Sequence, residues 1–165
     1  MTSRRILDAC CGGRMFWYDK AQVDTIYMDC RVVPPGSFAN NWNPNWRVAP
    51  DVVADFREMP FPDRHFKLVV FDPPHLTNGS FKSVINIKYG LLSKDSWEDD
   101  LVAGFNECWR VLEDFGVLIF KWNTASINTS ALLRLLPVKP LFGDLSGKTG
   151  KTVWMTFLKT KECGE

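Results

Sequence analysis

The sequence is short of the residues that build metal centres, disulfide scaffolds and membrane spans. It holds 5 cysteines and 2 histidines in 165 residues. The cysteines (Cys10, Cys11, Cys30, Cys108 and Cys163) form no C-x-x-C pair, and only His65 and His75 remain to complete a metal site. Neither a disulfide framework nor a zinc centre is supported, and no metal is expected. No apolar run approaches the roughly 18–20 residues that cross a bilayer, so no membrane partner is expected. The N-terminal Met1-Thr-Ser-Arg-Arg lacks the apolar core and cleavage site of a secretory leader, which gives a cytoplasmic location as the expectation. Charge of one sign is lacking too: 20 Lys and Arg stand against 19 Asp and Glu, a net charge of +1. A long nucleic-acid footprint usually shows as a basic excess, so any such contact has to be a local patch. Internal repeats and low-complexity tracts are absent.

What is there is an ordinary globular composition, 45% hydrophobic and 24% charged, at a length that fits one domain over residues 1–165. Short apolar runs alternate with helix-compatible stretches, the pattern of an α/β domain. Strands are predicted at Arg5–Ala9, Thr25–Asp29, Val52–Ala54, Lys67–Phe71, Gly116–Trp122, Pro140–Phe142 and Thr152–Lys159. Near-continuous apolar runs such as Leu68-Val-Val-Phe71 and Val117-Leu-Ile-Phe120 predict strands covered by helices on both faces. A helix is predicted from Trp97 to Leu112, with Ser96 and Asp99 as a capping box and Leu101, Phe105 and Cys108 on its buried face. A second helix covers Ile127–Leu136 and stops before Pro137. Residues 143–151 are too few for a crossover helix, so the last two strands pair as an antiparallel hairpin. The expectation is a seven-stranded, mostly parallel sheet with that hairpin at its edge. Residues 31–50 and 76–95 read as long loops leaving strand ends, where open α/β sheets bind ligands, and are expected to face substrate.

The first strand runs into Leu7-Asp8-Ala9-Cys10-Cys11-Gly12-Gly13-Arg14. A glycine turn here lets a cofactor lie against backbone N–H groups. An acid ending the next strand, Asp29, is placed to hold ribose hydroxyls, because a carboxylate accepts two hydrogen bonds. The dinucleotide fingerprint G-x-G-x-x-G is absent, against a nicotinamide enzyme. Asp8, Gly12 and Gly13 resemble the D-x-G-x-G-x-G motif of class I methyltransferases, with Cys10 and Arg14 in place of the outer glycines. Ala54-Asp55-Phe56, then Met59-Pro60-Phe61 and His65-Phe66-Lys67-Leu68-Val69-Val70, resemble a second stretch of that family. The resemblance implies a Rossmann-like fold with S-adenosyl-L-methionine as cofactor. It would be bound by Asp8, Ala9, Cys10, Gly12, Asp29, Asp55, Phe56 and Asp72, with Asp55 on the adenine amine and Phe56 against the ring. Met59-Pro60-Phe61 itself reads as a plain hydrophobic turn.

Asp72-Pro73-Pro74-His75 follows the buried strand Leu68–Phe71. Two prolines fix two φ angles near −65° and remove two N–H donors, and Pro73 holds Asp72 extended. The result is a stiff, acceptor-only wall made of a carboxylate and a carbonyl. Such a wall suits an exocyclic amine, whose lone pair is delocalised: acceptors gripping its N–H hydrogens turn the lone pair towards an incoming methyl. The tetrapeptide resembles the D/N-P-P-Y/F/W motif of methyltransferases acting on adenine N6, cytosine N4, guanine amines and glutamine side chains. By that resemblance Asp72, Pro73, Pro74 and His75 are catalytic, with His75 in the position of the stacking aromatic. The compact layout resembles small stand-alone methyltransferases of phages and prophages.

Trp42 and Trp46 in the first loop are candidates for stacking on a base, Lys88 and Tyr89 in the second for meeting substrate, and Asn123 for lining the pocket. Lys82 is a further candidate for phosphate contact. Gly147-Lys148-Thr149 fails the spacing of a phosphate loop, and Lys148 and Lys151 instead mark a hairpin tip. Cys10 and Cys11 read as small packing residues. The expected activity is methyl transfer to an exocyclic amine, first of a base in single-stranded or flipped-out DNA or RNA. A partner protein is one possible source of target recognition. A small-molecule or protein amine as acceptor, or a non-catalytic S-adenosylmethionine-binding module, are the alternatives.

Overall fold

The computed structural model describes residues 4–37, 43–78, 84–144 and 151–160. Ten elements follow one another: β1 (Ile6–Asp8), β2 (Thr25–Asp29), β3 (Val52–Val53), β4 (Phe66–Phe71), α1 (Val84–Tyr89), α2 (Trp97–Val111), β5 (Leu112–Asn123), α3 (Thr129–Leu135), β6 (Phe142–Gly143) and β7 (Thr152–Leu158). The strands form one seven-stranded sheet in the order β3-β2-β1-β4-β5-β7-β6. β1 to β5 run parallel to one another, while β7 runs antiparallel between β5 and β6. Strand order reverses between β1 and β4, the switch point where open α/β sheets form a ligand crevice.

Alternation along β5 decides which side of the sheet is the core. Leu118, Phe120 and Trp122 are fully buried, and the intervening Val117, Ile119 and Lys121 only partly. The buried face lies under α2, whose Leu101, Phe105, Cys108 and Val111 recur at helical spacing. Leu132 of α3 completes that layer.

The other face departs from the expected two-sided helix cover. Residues 9–24 link β1 to β2 through turns alone, without a helix. Side chains from that link do the covering instead. The Arg14 guanidinium sits 3.6 Å from the Tyr27 ring centroid. Trp17 meets the same ring edge-on at 5.3 Å. Tyr27 is thereby sealed to 1% exposure. A cation and an indole close over an aromatic ring where a crossover helix would otherwise lie.

Two further expectations change. Ser96 caps α2 by position, but its hydroxyl lies 3.0 Å from Asp100, not on a backbone N–H, so no capping box forms. The stretch expected as a loop at 76–95 contains α1, whose six residues are too few to show a helical period in sequence. Val84 and Ile87 of α1 pack on Trp46, Val48 and Val33, a small second core that joins the two long segments. The Met59-Pro60-Phe61 turn is clamped by α2: Glu107 accepts from Met59 N–H at 2.7 Å, and Arg110 donates to the carbonyls of Met59 and Phe61.

Gly104 marks where α2 presses closest on the sheet. A Cβ there would stand 2.5 Å from Phe56 and 2.8 Å from Phe71. Gly104→Ala gains about 1 kcal/mol of helix propensity, but overpacking two rings costs about 1–3 kcal/mol. Net destabilisation in a denaturant titration is the expected outcome.

Candidate active site

Register brings the motifs together. Asp8 pairs with Val70, and Ala9 N–H donates to the Val70 carbonyl at 2.9 Å, so the turn after β1 and the Asp72-Pro73-Pro74-His75 segment after β4 leave the sheet side by side. A cleft opens between them. Ala9, Cys10, Gly12, Asp29, Phe56, Asp72, Pro73, Pro74, His75, Lys88 and Tyr89 all line it, joined by Cys11, Gly13, Met15, Phe16, Cys30 and Arg31. Gly12 turns the chain at φ +47°, a conformation that favours glycine. Its N–H donates to Asp29 at 2.9 Å, tying the ends of β1 and β2 together.

Asp29 is held by more than the glycine turn. Arg31 forks onto it, Nε to one oxygen at 2.9 Å and a terminal nitrogen to the other at 3.0 Å. The remaining guanidinium nitrogen donates to the Ile87 carbonyl at the end of α1, 3.0 Å away. Asp55-Phe56-Arg57 repeats this geometry at the end of β3: Arg57 forks onto Asp55 at 3.0 and 2.6 Å and reaches Asp100 of α2 at 2.7 Å. The Arg57 fork holds the Asp55 carboxyl below its usual range. Asp55 does not line the cleft, whereas its neighbour Phe56 does.

Asp72 pairs with Lys121 at 2.6 Å. The pairing follows from strand register, since Phe71 lies beside Phe120 and each chain advances one residue. Lys121 stands over Phe16 at 5.3 Å and over Trp154, its partner across β7, at 5.8 Å. Burial raises the Asp72 carboxyl, and the charge and hydrogen bond of Lys121 oppose that rise. The same ammonium, after burial, pushes His75 down to about 4, so the imidazole is neutral at physiological pH. His75 is 7% exposed and lies 5.3 Å from the Tyr89 ring. Gly90, at φ +75°, lets α1 end against Pro74: a Cβ there would stand 3.0 Å from the proline ring.

Other candidates fall elsewhere. Asp8 is fully buried beneath the cleft, accepting from Trp17 Nε1 at 2.7 Å, and does not line it. Trp46 is buried against Gly13, where a Cβ would stand 2.4 Å from its indole, and lines a neighbouring cavity. Asn123 ends β5 two residues past Lys121, bonded to Thr152 at 3.3 Å, and does not line the cleft. Trp42, Lys82 and Lys148 lie outside the described residues. Burial raises the thiols of Cys10 and Cys11, which makes both poor nucleophiles. Among the described residues no cluster of three or more His, Cys, Asp or Glu side chains has metal-site geometry, and no helix is long and apolar enough to cross a membrane.

Lys121 and Arg31 are the residues that sequence reading passed over. Each had a signal. Lys121 follows Phe120 at the register position beside Asp72, and the Asp-x-Arg spacing occurs at the ends of both β2 and β3.

No protein-family model matches the sequence, and no curated protein does. Solved structures do resemble the fold. A Methanococcus maripaludis protein taken to be an S-adenosyl-L-methionine-dependent methyltransferase superposes with a TM-score of 0.52 at 12% identity, covering 98% of this chain and 80% of its own. A Haemophilus influenzae protein taken to be a methylase gives 0.47 at 13% identity, over 96% and 88%. The antibiotic-resistance methyltransferase Kmr gives 0.47 at 16% identity, over 94% and 87%. At such identities the likeness is one of architecture, and only the first comparison is close enough to use. The chain has the Rossmann-like fold of class I methyltransferases, with the antiparallel C-terminal strands that distinguish it.

Burial pushes Asp8 from 3.8 up to about 7, against the hydrogen bond from Trp17. The folded state therefore holds this proton more tightly than the unfolded chain does. Wild-type stability from Asp8 is fully present below pH 4 and is lost as pH rises through 7. In thermal melts, the stability of Asp8→Asn relative to wild type is expected to improve from pH 4 to pH 8 and then level off.

Proposed function

We propose that the chain is an S-adenosylmethionine-dependent N-methyltransferase acting on an exocyclic amino nitrogen, most readily adenine N6 or cytosine N4 of a nucleic-acid base. One observation carries the reading: the Asp72-Pro73-Pro74 wall faces the glycine turn across a single cleft at the sheet's switch point.

The residues present fit the cofactor in kind. A sulfonium is positively charged, and the cleft brings the carboxylates Asp29 and Asp72 to it beside the cations Arg31 and Lys88. A Cβ at Gly12 would reach van der Waals contact with the Lys88 carbonyl at 3.9 Å and the Arg31 guanidinium at 4.0 Å, so Arg31 and the end of α1 stand over the turn on which the ligand would lie. Bound there, the cofactor would supply an electrophilic methyl group. Gly12, Asp29 and Phe56 are the groups proposed to hold it.

Everything else is the chain's own work. Asp72 accepts an amine N–H and stabilises positive charge as it develops on that nitrogen. The diproline keeps the carboxylate from swinging away. His75, neutral and backed by Tyr89, offers a flat wall for a planar ring. Lys121 favours a neutral acceptor over a charged one: an alkylammonium would meet a like charge beside Asp72 and carries no lone pair to methylate. This supports an aromatic amine over a protein or metabolite alkylamine. A base within a duplex would have to leave its stack, which favours single-stranded or flipped targets.

Asp72→Ala is expected to lower methyl transfer by at least about 100-fold while S-adenosylhomocysteine still binds. Radiolabelled transfer into separated DNA, RNA and protein pools reads the effect, and label in protein alone would reject the base acceptor. Lys121→Met removes the cation that opposes the rise of the Asp72 carboxyl. The acid limb of the activity profile should therefore move to higher pH.

A further inference from the structure

The glycine turn has a second neighbour. A cavity of about 460 Å³ shares Gly12 and Gly13 with the cleft, and Arg14, Lys20, Asn43, Asn45, Trp46 and Arg47 line it. Its lining contains three cations and no carboxylate. Arg14 builds the wall: it donates to the carbonyls of Lys20 at 2.7 Å and Ala49 at 2.9 Å, clipping two segments together over Tyr27. The acid nearest to it, Asp51, stands 3.6 Å away with its other oxygen held by Arg4 at 2.7 Å. Lys20 and Arg47 are exposed and make no ion pair among the described residues.

Each feature narrows the ligand. The volume lies within the ~300–1,000 Å³ typical of ligand sites. Three cations without an acid repel a sulfonium, so the methyl donor belongs to the neighbouring cleft and not here. Unpaired Lys and Arg beside amide donors are the groups that contact phosphate and sugar in nucleic-acid complexes. A balance of +1 over the whole chain leaves exactly this kind of local patch as the route to a polyanion.

We infer that the Arg14–Lys20–Arg47 cavity receives the phosphodiester backbone of a single-stranded nucleic acid whose base enters the adjoining cleft. The inference rests on the acceptor reading above and adds the surface that grips the strand. Trp46, buried against Gly13, forms the floor that keeps the two spaces next to each other.

The test compares wild type with the double variant Lys20→Gln/Arg47→Gln. Labelled single-stranded DNA and RNA oligonucleotides are titrated by fluorescence anisotropy over a salt series, and radiolabelled methyl transfer is measured in parallel. Losing two phosphate contacts should make the slope of log affinity against log salt shallower by about 1.4, with affinity at low salt at least about tenfold weaker. S-adenosylhomocysteine affinity should be unchanged, which also shows that the variant is folded. An unchanged slope and affinity, while wild type still labels nucleic acid, would overturn the cavity's assignment and leave the acceptor reading intact. Oligonucleotide binding that depends on Lys20 and Arg47, with no label in DNA or RNA, would overturn the acceptor reading and support the cavity. Wild type that binds no oligonucleotide at low salt overturns the cavity's assignment.

Discussion

The in-register pairing of β1 with β4 is the constraint on which the cleft depends. Leu7 faces Val69 and Asp8 faces Val70, so both strands end at the same level. Their continuations, a glycine turn on one side and a diproline on the other, cannot avoid facing each other. A slip of one residue would turn the β4 side chains to the opposite faces and take Asp72 with them. The next pair extends the same logic. β4 with β5 sets Lys121 beside Asp72, and antiparallel β7 sets Trp154 beside Lys121.

Charge in the cleft is arranged in pairs. Asp29 has Arg31 and Asp72 has Lys121, and neither carboxylate stands alone. Burying a carboxylate without a partner is costly, and each of these acids is buried with a cation against it. Arg31 does a second job by spanning from β2 to the end of α1. The space it helps enclose is about 50 Å³, well short of the ~300–1,000 Å³ of ligand sites. Under the proposed function, ribose hydroxyls and the guanidinium would compete for the same two oxygens of Asp29.

Much of this was legible in the chain, and what was not has a physical cause. Strand positions followed from apolar runs; Thr25–Asp29 matches to the residue. The sheet's hairpin followed from a link too short for a helix. The glycine turn, Asp29 and the diproline segment carried enough local chemistry to be placed at one cleft. Features that depend on distant partners were hidden: the Asp72–Lys121 pair joins positions 49 apart, and the Arg14 clip over Tyr27 replaces a helix that the alternating pattern implied. Asp8 illustrates the limit well. Its position in the motif suggested a cofactor ligand, and the fold buries it fully with Trp17 Nε1 donating to it, a contact that no local pattern announced. The basic cavity escaped because its cations come from separate segments and vanish into a net charge of +1.

The most direct test is isothermal titration of the purified chain with S-adenosylhomocysteine. A saturable one-to-one heat, abolished when Gly12 is replaced by a bulky residue that fills the turn, is the result this account predicts. A flat isotherm for the wild-type chain, with its fold verified, would contradict it.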